Sequence, residues 1–271
     1  MSWGIGSYSL TWAIGVPGYE PPNRPLAARD LLAAAKDVGA GVVQYADNLP
    51  LHALSESELG ELVRLAREWD IGLEAGLRGT APESLALYAE LAVQIGSPIV
   101  RTLITEPDIR SAYRDLEASL SDYESKGIVL AIENHGLHTT DRLVALFEHF
   151  DSPSLGCCLD TVNSFGALEG PDTVIRALAH YTVNLHIKDF EIKRVDHQMG
   201  FSVLGTPAGQ GRLNWPLLRE ALRKSGRTPN WILELWTPFA GSVERTIELE
   251  REWFEASIPF VRGEWKNEND A

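Results

Sequence analysis

Short runs rich in valine, isoleucine and leucine alternate along the chain with longer segments whose apolar positions recur at helical spacing, as expected of repeated β-α units around a parallel sheet. Eight runs read as strands, at 4–10, 41–45, 72–77, 98–103, 128–133, 154–160, 182–188 and 231–236. Each precedes a helical pattern. The first, 26–38, puts Leu26, Leu31, Leu32, Ala35 and Val38 on one face and stops at Gly39, a residue suited to a left-handed C-cap. The second opens on Ser55 with Glu58 three residues later, the spacing of a capping box. Further helices are predicted at 82–95, 109–126, 140–150, 171–180, 215–225 and 242–257, the last closing the ring. The pattern predicts an α/β protein, a (β/α)8 TIM barrel.

One domain over 1–262 fits this count, since such a barrel takes about 250 residues and the chain has 271. The polar, acidic stretch 263–271 reads as a frayed tail. Two connections are longer than usual, 11–25 and 190–214. Both follow a strand, so both lie at the C-terminal mouth of the barrel, where this architecture places its chemistry.

The last four strands each end in a strong ligand type: Glu133, Asp160, His186 and Glu234. Val129, Ala131 and Glu133 share one strand parity, as do Gly156, Cys158 and Asp160, and Ile232 and Glu234, while Leu130, Ile132 and Leu233 take the other. The four side chains are therefore expected to converge in the lumen. Buried like charges either protonate or recruit a cation, so three carboxylates and an imidazole imply one divalent ion, Mn²⁺ or Mg²⁺, with Co²⁺ or Zn²⁺ as substitutes. Singly, a strand-end acid can cap a helix and a histidine can be a core residue; it is the four together that point to a metal.

Glu133-Asn134-His135, Leu159-Asp160-Thr161, His186-Ile187-Lys188-Asp189, the 205–211 stretch ending in Gly209-Gln210-Gly211, and Leu233-Glu234-Leu235 resemble the xylose isomerase-like barrel superfamily, in particular its sugar epimerase, inosose isomerase and dehydratase branch. The resemblance spans essentially the whole chain. It implies one bound Mn²⁺, Mg²⁺ or Co²⁺ at the four matching positions, with Glu133 and Glu234 doubling as catalytic acid and base. It departs from the ketose 3-epimerase pattern at Asn163, where those enzymes carry histidine, and at Ile192, where they carry arginine.

A metal chelating a carbonyl and its neighbouring hydroxyl would stabilise an enediolate, which predicts an isomerase or epimerase of a keto-sugar, sugar acid or inosose. A lyase that decarboxylates or dehydrates a keto polyol acid needs the same ion, and a metal-binding subunit of a C-glycoside-cleaving complex is a third reading. Lys188 shares the parity of His186 and is expected to face substrate, unless it pairs with Glu191. His135, Asn163, Tyr8, Trp12 and Arg212 are further candidate contacts to a small polyhydroxy molecule, Trp12 through its ring face. Asn134 and Trp236 fit either contact or support, and Lys193, Arg194 and His197 are loop cations.

Charge narrows the partners. A net charge of -14, from 38 acidic and 24 basic residues, disfavours nucleic acid, and seven histidines are too few for the three-zinc DNA-repair branch of the superfamily. Neither a membrane span nor a leader pattern is evident, which suggests a cytoplasmic protein, with a homo-oligomer left open. The adjacent Cys157 and Cys158 read as reduced thiols on opposite strand faces that serve packing.

Overall fold

Each apolar run forms one strand of a closed parallel barrel in the computed structural model, which describes residues 1–269. The barrel strands are β1 (Trp3–Gly6), β2 (Val42–Tyr45), β3 (Gly72–Gly76), β4 (Ile99–Leu103), β5 (Val129–Glu133), β6 (Leu155–Asp160) and β7 (Thr182–Ile187); a hairpin of β8 (Asp189–Arg194) and β9 (Phe201–Thr206) follows, and β10 (Asn230–Leu233) pairs back onto β1. Around them run α1 (Thr11–Ile14), α2 (Ala28–Val38), α3 (Glu56–Glu68), α4 (Pro82–Ile95), α5 (Ile109–Lys126), α6 (Thr140–Phe150), α7 (Pro171–Leu178), α8 (Trp215–Ser225) and α9 (Val243–Asn269). The chain is thus a single-domain (β/α)8 barrel. Among the described residues no helix is long and apolar enough to cross a membrane.

The local signals act as expected. Gly39 ends α2 in the left-handed region at φ 71, and at the start of α3 the Glu58 N–H donates to Ser55 Oγ at 3.3 Å while the Ser55 N–H donates to the Glu58 carboxylate at 2.9 Å. Leu130, Ile132, Leu159, Leu185, Ile187 and Leu233 are fully buried in the core beneath the helices. The opposite parity fills the lumen with polar side chains, because in this barrel the interior is the floor of the site.

Four boundaries differ from the expected ones. β1 stops at Gly6 because residues 7–9 turn into a 3₁₀ helix, with Ser9 Oγ donating to the Leu233 carbonyl at 2.5 Å. β10 ends at Leu233, where the Leu235 N–H turns instead to the Tyr8 carbonyl. The connection after β7 is not a plain loop but the β8–β9 hairpin. The stretch 263–271, expected to fray, continues α9 through Asn269, held by the ion pair of Glu264 with Arg219 and by the partly buried Trp265; residues 270 and 271 of that stretch lie outside the described residues.

α9 also anchors the mouth. Glu250 accepts hydrogen bonds from the backbone N–H groups of Trp12 at 2.9 Å and Ala13 at 3.0 Å, tying down α1, and burial pushes its pKa up to about 7 despite those bonds. The folded state therefore holds this proton to higher pH than the unfolded chain. Glu250's contribution is fully present below its ordinary value of 4.5 and is lost as pH rises to about 7. Urea titrations should find roughly 3 kcal/mol less stability attributable to this group at about pH 8 than at about pH 4. Glu250→Gln should flatten that difference; an unchanged pH dependence would show that Glu250 is not its source.

Candidate metal centre

The four expected ligands lie in two overlapping groups that share His186, Glu133 with Cys158 and His186, and Asp160 with His186 and Glu234. Glu133 and Asp160 close β5 and β6, His186 lies one residue before the end of β7, and Glu234 follows β10; none is more than 2% exposed. Gly6 makes room for them, since a Cβ there would stand 3.0 Å from Glu234 Oε1. His186 Nδ1 lies 3.2 Å from Glu133 Oε2 and 3.3 Å from Glu234 Oε2, and ligand atoms of Asp160, His186 and Glu234 all lie within 4.8 Å of one another.

Two cations balance this acid cluster. Lys188 Nζ donates to Asp160 Oδ2 and Glu234 Oε2, both at 2.5 Å, so the alternative pairing with Glu191 is not formed; Glu191 pairs with Lys193. Arg101 on β4, which strand-end reasoning passed over, donates from Nε to Glu133 Oε2 at 2.5 Å and from Nη1 to Asp47 Oδ1 at 3.1 Å. Its signal in the sequence was a charged residue inside the apolar run Ile99-Val100-Arg101-Thr102-Leu103, at a parity shared with lumen-facing neighbours.

These pairings set the charge states. Burial would push Glu133 up, but the Arg101 guanidinium and His186 reverse it and hold the carboxyl well below its usual range. Burial likewise opposes ionisation of Glu234, which His186 and Lys188 bring down to about 2. Asp160 moves the other way: burial, with the charges of Glu133 and Glu234, outweighs Lys188 and raises it. Burial disfavours a charged His186, yet the Cys158, Glu234 and Glu133 groups around it leave its pKa well above the ordinary value.

The residues fit a divalent cation. Three carboxylates and an imidazole form a mainly oxygen donor set, and two buried atoms aimed into it, His186 Nδ1 and Glu234 Oε1, have no hydrogen-bond partner. Lys188 Nζ stands among the same oxygens, so an organic cation already occupies the side that Asp160 and Glu234 share.

The expected substrate contacts divide into three groups. Asn163 Nδ2 donates to Glu133 Oε1 at 2.7 Å, and Tyr8 OH donates to Asp47 Oδ2 at 3.2 Å, so both are joined to the cluster. His135 is half-buried beside it, and burial keeps its pKa low. Trp12 is largely buried, its indole N–H bonded to the Thr237 carbonyl at 2.8 Å; the exposed ring faces beside it belong to Tyr19 and Phe239, with ring centroids 4.8 and 5.6 Å from its own. Arg212 is exposed and engages Phe190 only through its backbone N–H.

Several motif residues turn out to hold the scaffold. Asp189 accepts from the backbone N–H groups of Phe190, Gly209, Gly211 and Leu213 at 2.8 to 3.1 Å, and a Cβ at Gly211 would strike its carboxylate at 2.2 Å. Asn134 bridges to the Asp160 backbone through both its N–H and its carbonyl. Lys193 and Arg194 stay on the exposed hairpin, Arg194 over the Phe201 ring. Cys157 and Cys158 are buried and unbonded to each other; burial pushes Cys158 up to about 11 and Cys157 well up, so both remain thiols.

A parallel barrel with a carboxylate and histidine cluster at its C-terminal mouth defines a class of enzyme-bearing fold. The chain belongs to the xylose isomerase-like TIM barrel family, whose description it matches over residues 32–257. It is 34% identical over 265 residues to the 3-oxo-isoapionate decarboxylase of Pectobacterium atrosepticum, with 96% of this chain and 95% of that protein covered. Among solved structures it is similar to a xylose isomerase-like TIM barrel protein from Mycobacterium smegmatis in complex with magnesium, at 17% identity and TM-score 0.68 over 95% of this chain and 97% of the other. It is also similar to D-psicose 3-epimerase from Clostridium cellulolyticum H10, solved with D-tagatose, at 16% identity and TM-score 0.71 over 97% and 98%. At these identities the structures speak for the fold. A decarboxylase is thus among the relatives of this chain, and an epimerase shares its fold.

Replacing Arg101 by methionine would leave the buried Glu133 without its guanidinium, while the partly exposed Asp47 keeps the more distant Arg78. Urea unfolding of Arg101→Met in metal-free buffer should show a loss of about 3–5 kcal/mol; a loss under about 1 kcal/mol would mean that the ion pair is dispensable.

Proposed function

We propose that the chain is a divalent-metal-dependent carbon–carbon lyase that releases carbon dioxide from a small polyhydroxy β-keto acid. The observation that carries this reading is the end-to-end similarity to the Pectobacterium decarboxylase, whose substrate name describes a 3-oxo carboxylate. The sequence motifs alone favour an isomerase over a lyase; this relative reverses that order.

When the carbon–carbon bond of a β-keto acid breaks, its electron pair moves onto the ketone oxygen, and the carbon left behind then takes a proton. A divalent cation, Mn²⁺ or Mg²⁺ from the hardness of the donor set, would supply positive charge beside that oxygen when held by Glu133, Asp160, His186 and Glu234. Lys188 supplies a second positive charge: burial opposes its ionisation, but the carboxylates of Asp160 and Glu234, to which its N–H groups donate, push its pKa well up and hold it charged at the floor of the site. Arg101 keeps Glu133 ionised and fixed. Asn163, His135 and Tyr8 stand where substrate hydroxyls would be oriented, and Tyr19 and Phe239 offer ring faces to its CH groups.

A second reading, an isomerase or epimerase, is favoured by one feature. Glu133 and Glu234 are both held ionised and both lie within 3.3 Å of His186 Nδ1, as two bases flanking one substrate would. Mass separates the two. The Mn²⁺-loaded protein, incubated with a panel of polyhydroxy 3-oxo acids and keto-sugars in deuterated water, should release CO₂ and retain one deuterium in the product. Deuterium uptake with no loss of mass would overturn the lyase reading in favour of isomerisation. Lys188→Met and Glu234→Gln should each lower turnover by about 10²-fold or more.

Metal dependence has its own check. Added Mn²⁺ should raise the melting temperature by several degrees, with EDTA reversing the rise and His186→Ala abolishing it. A protein whose melting temperature ignores Mn²⁺, Mg²⁺ and Co²⁺ alike would rule out the cation.

A further inference from the structure

We propose that Gln44 and Glu74, buried beneath the candidate ligands, are positioning residues that keep the ring proton of His186 on Nε2 and so reserve Nδ1 for a metal. The inference rests on the metal-dependent reading of the site above.

Neither residue belongs to a motif at the barrel mouth. Gln44 on β2 and Glu74 on β3 are paired neighbours that face the lumen, and both are buried. The Gln44 amide nitrogen donates twice, to Glu74 Oε2 at 3.0 Å and to Asn184 Oδ1 at 3.0 Å. An amide carries two N–H groups, so its donors are used up. Its carbonyl oxygen is thereby turned toward His186, where it lies 2.6 Å from Nε2. An oxygen that can only accept requires a donor opposite it, which places the proton on Nε2.

Glu74 makes this orientation one-way. Its Oε2 also accepts from Asn184 Nδ2 at 3.1 Å, and its Oε1 accepts from Asn230 Nδ2 at 2.7 Å; Asn230 is itself oriented by the Ser2 N–H, which donates to Asn230 Oδ1 at 2.7 Å. Every group facing the Glu74 carboxylate is a donor. Turning the Gln44 amide over would set its carbonyl against the Glu74 carboxylate and its NH₂ against the Nε2 proton, losing three buried hydrogen bonds. At the far end of the ring, Nδ1 stands 3.2 and 3.3 Å from two carboxylate oxygens yet makes no hydrogen bond to either. That nitrogen is set to exchange a proton for a metal ion while Nε2 keeps its hydrogen throughout.

The test reads the ring directly. In long-range ¹H–¹⁵N spectra of histidine-labelled protein, His186 Nε2 should keep a protonated, pyrrole-type shift on addition of Zn²⁺, used as a diamagnetic probe, while Nδ1 alone moves. Gln44→Met should weaken Mn²⁺ binding by about 10- to 100-fold and Glu74→Met by at least about fivefold, with mixed tautomers in both. A wild-type spectrum in which Nε2 takes the metal would overturn the proposal, as would Gln44→Met with unchanged tautomer and Mn²⁺ affinity. If the methionine variants do not fold, the wild-type spectrum decides. A protein that binds no metal but holds its proton on Nε2 at alkaline pH keeps the relay and loses the metal-dependent reading instead.

Discussion

Three carboxylates buried at one end of a narrow barrel are the constraint around which the rest of this structure is arranged. Glu133, Asp160 and Glu234 are each at most 2% exposed, and an uncompensated charge in such a place costs several kcal/mol. Lys188, Arg101 and His186 supply the compensation from three different strands or strand ends. The cluster needs space, and Gly6 provides it, since a Cβ there would press on Glu234. Below them a column of amides on Glu74 replaces the apolar layers of an ordinary barrel interior.

The charge distribution divides the chemistry. Glu133 and Glu234 stay ionised because a guanidinium, an ammonium and an imidazole face them, so neither carries a proton to give. Lys188 stays charged between Asp160 and Glu234. A site with ionised oxygens and a buried ammonium beside them suits a reaction in which negative charge develops on a substrate oxygen. Elimination of CO₂ and proton transfer next to a carbonyl share that need.

Much of the surrounding sequence pattern serves the frame. Asp189 gathers four backbone N–H groups and fixes the loop that leads into α8, and the close approach of Gly211 lets it do so. Asn134 stitches β5 to β6 beneath the site. Glu250 and the Trp12, Tyr19 and Phe239 cluster join the first and last β-α units at the rim. A motif read from sequence mixes such supports with the groups that meet a substrate, because both must stand at the same strand ends.

The sequence by itself determined the eightfold alternation, the single barrel, the mouth as the place for chemistry and the convergence of Glu133, Asp160, His186 and Glu234. Period and parity are local properties, and in a closed barrel they map directly onto inside and outside. Only the tertiary structure decided that Lys188 would pair with Asp160 and Glu234 and not with Glu191, that Trp12 would lie beneath Tyr19 and Phe239, and that 263–269 would stay helical. It alone brought in Arg101, Asp47, Gln44 and Glu74, which come from the first four β-α units and sit in strands or turns with no motif around them. Their roles depend on what faces them across the lumen, over separations of 30 to 156 residues between hydrogen-bonded partners, and no local pattern encodes that.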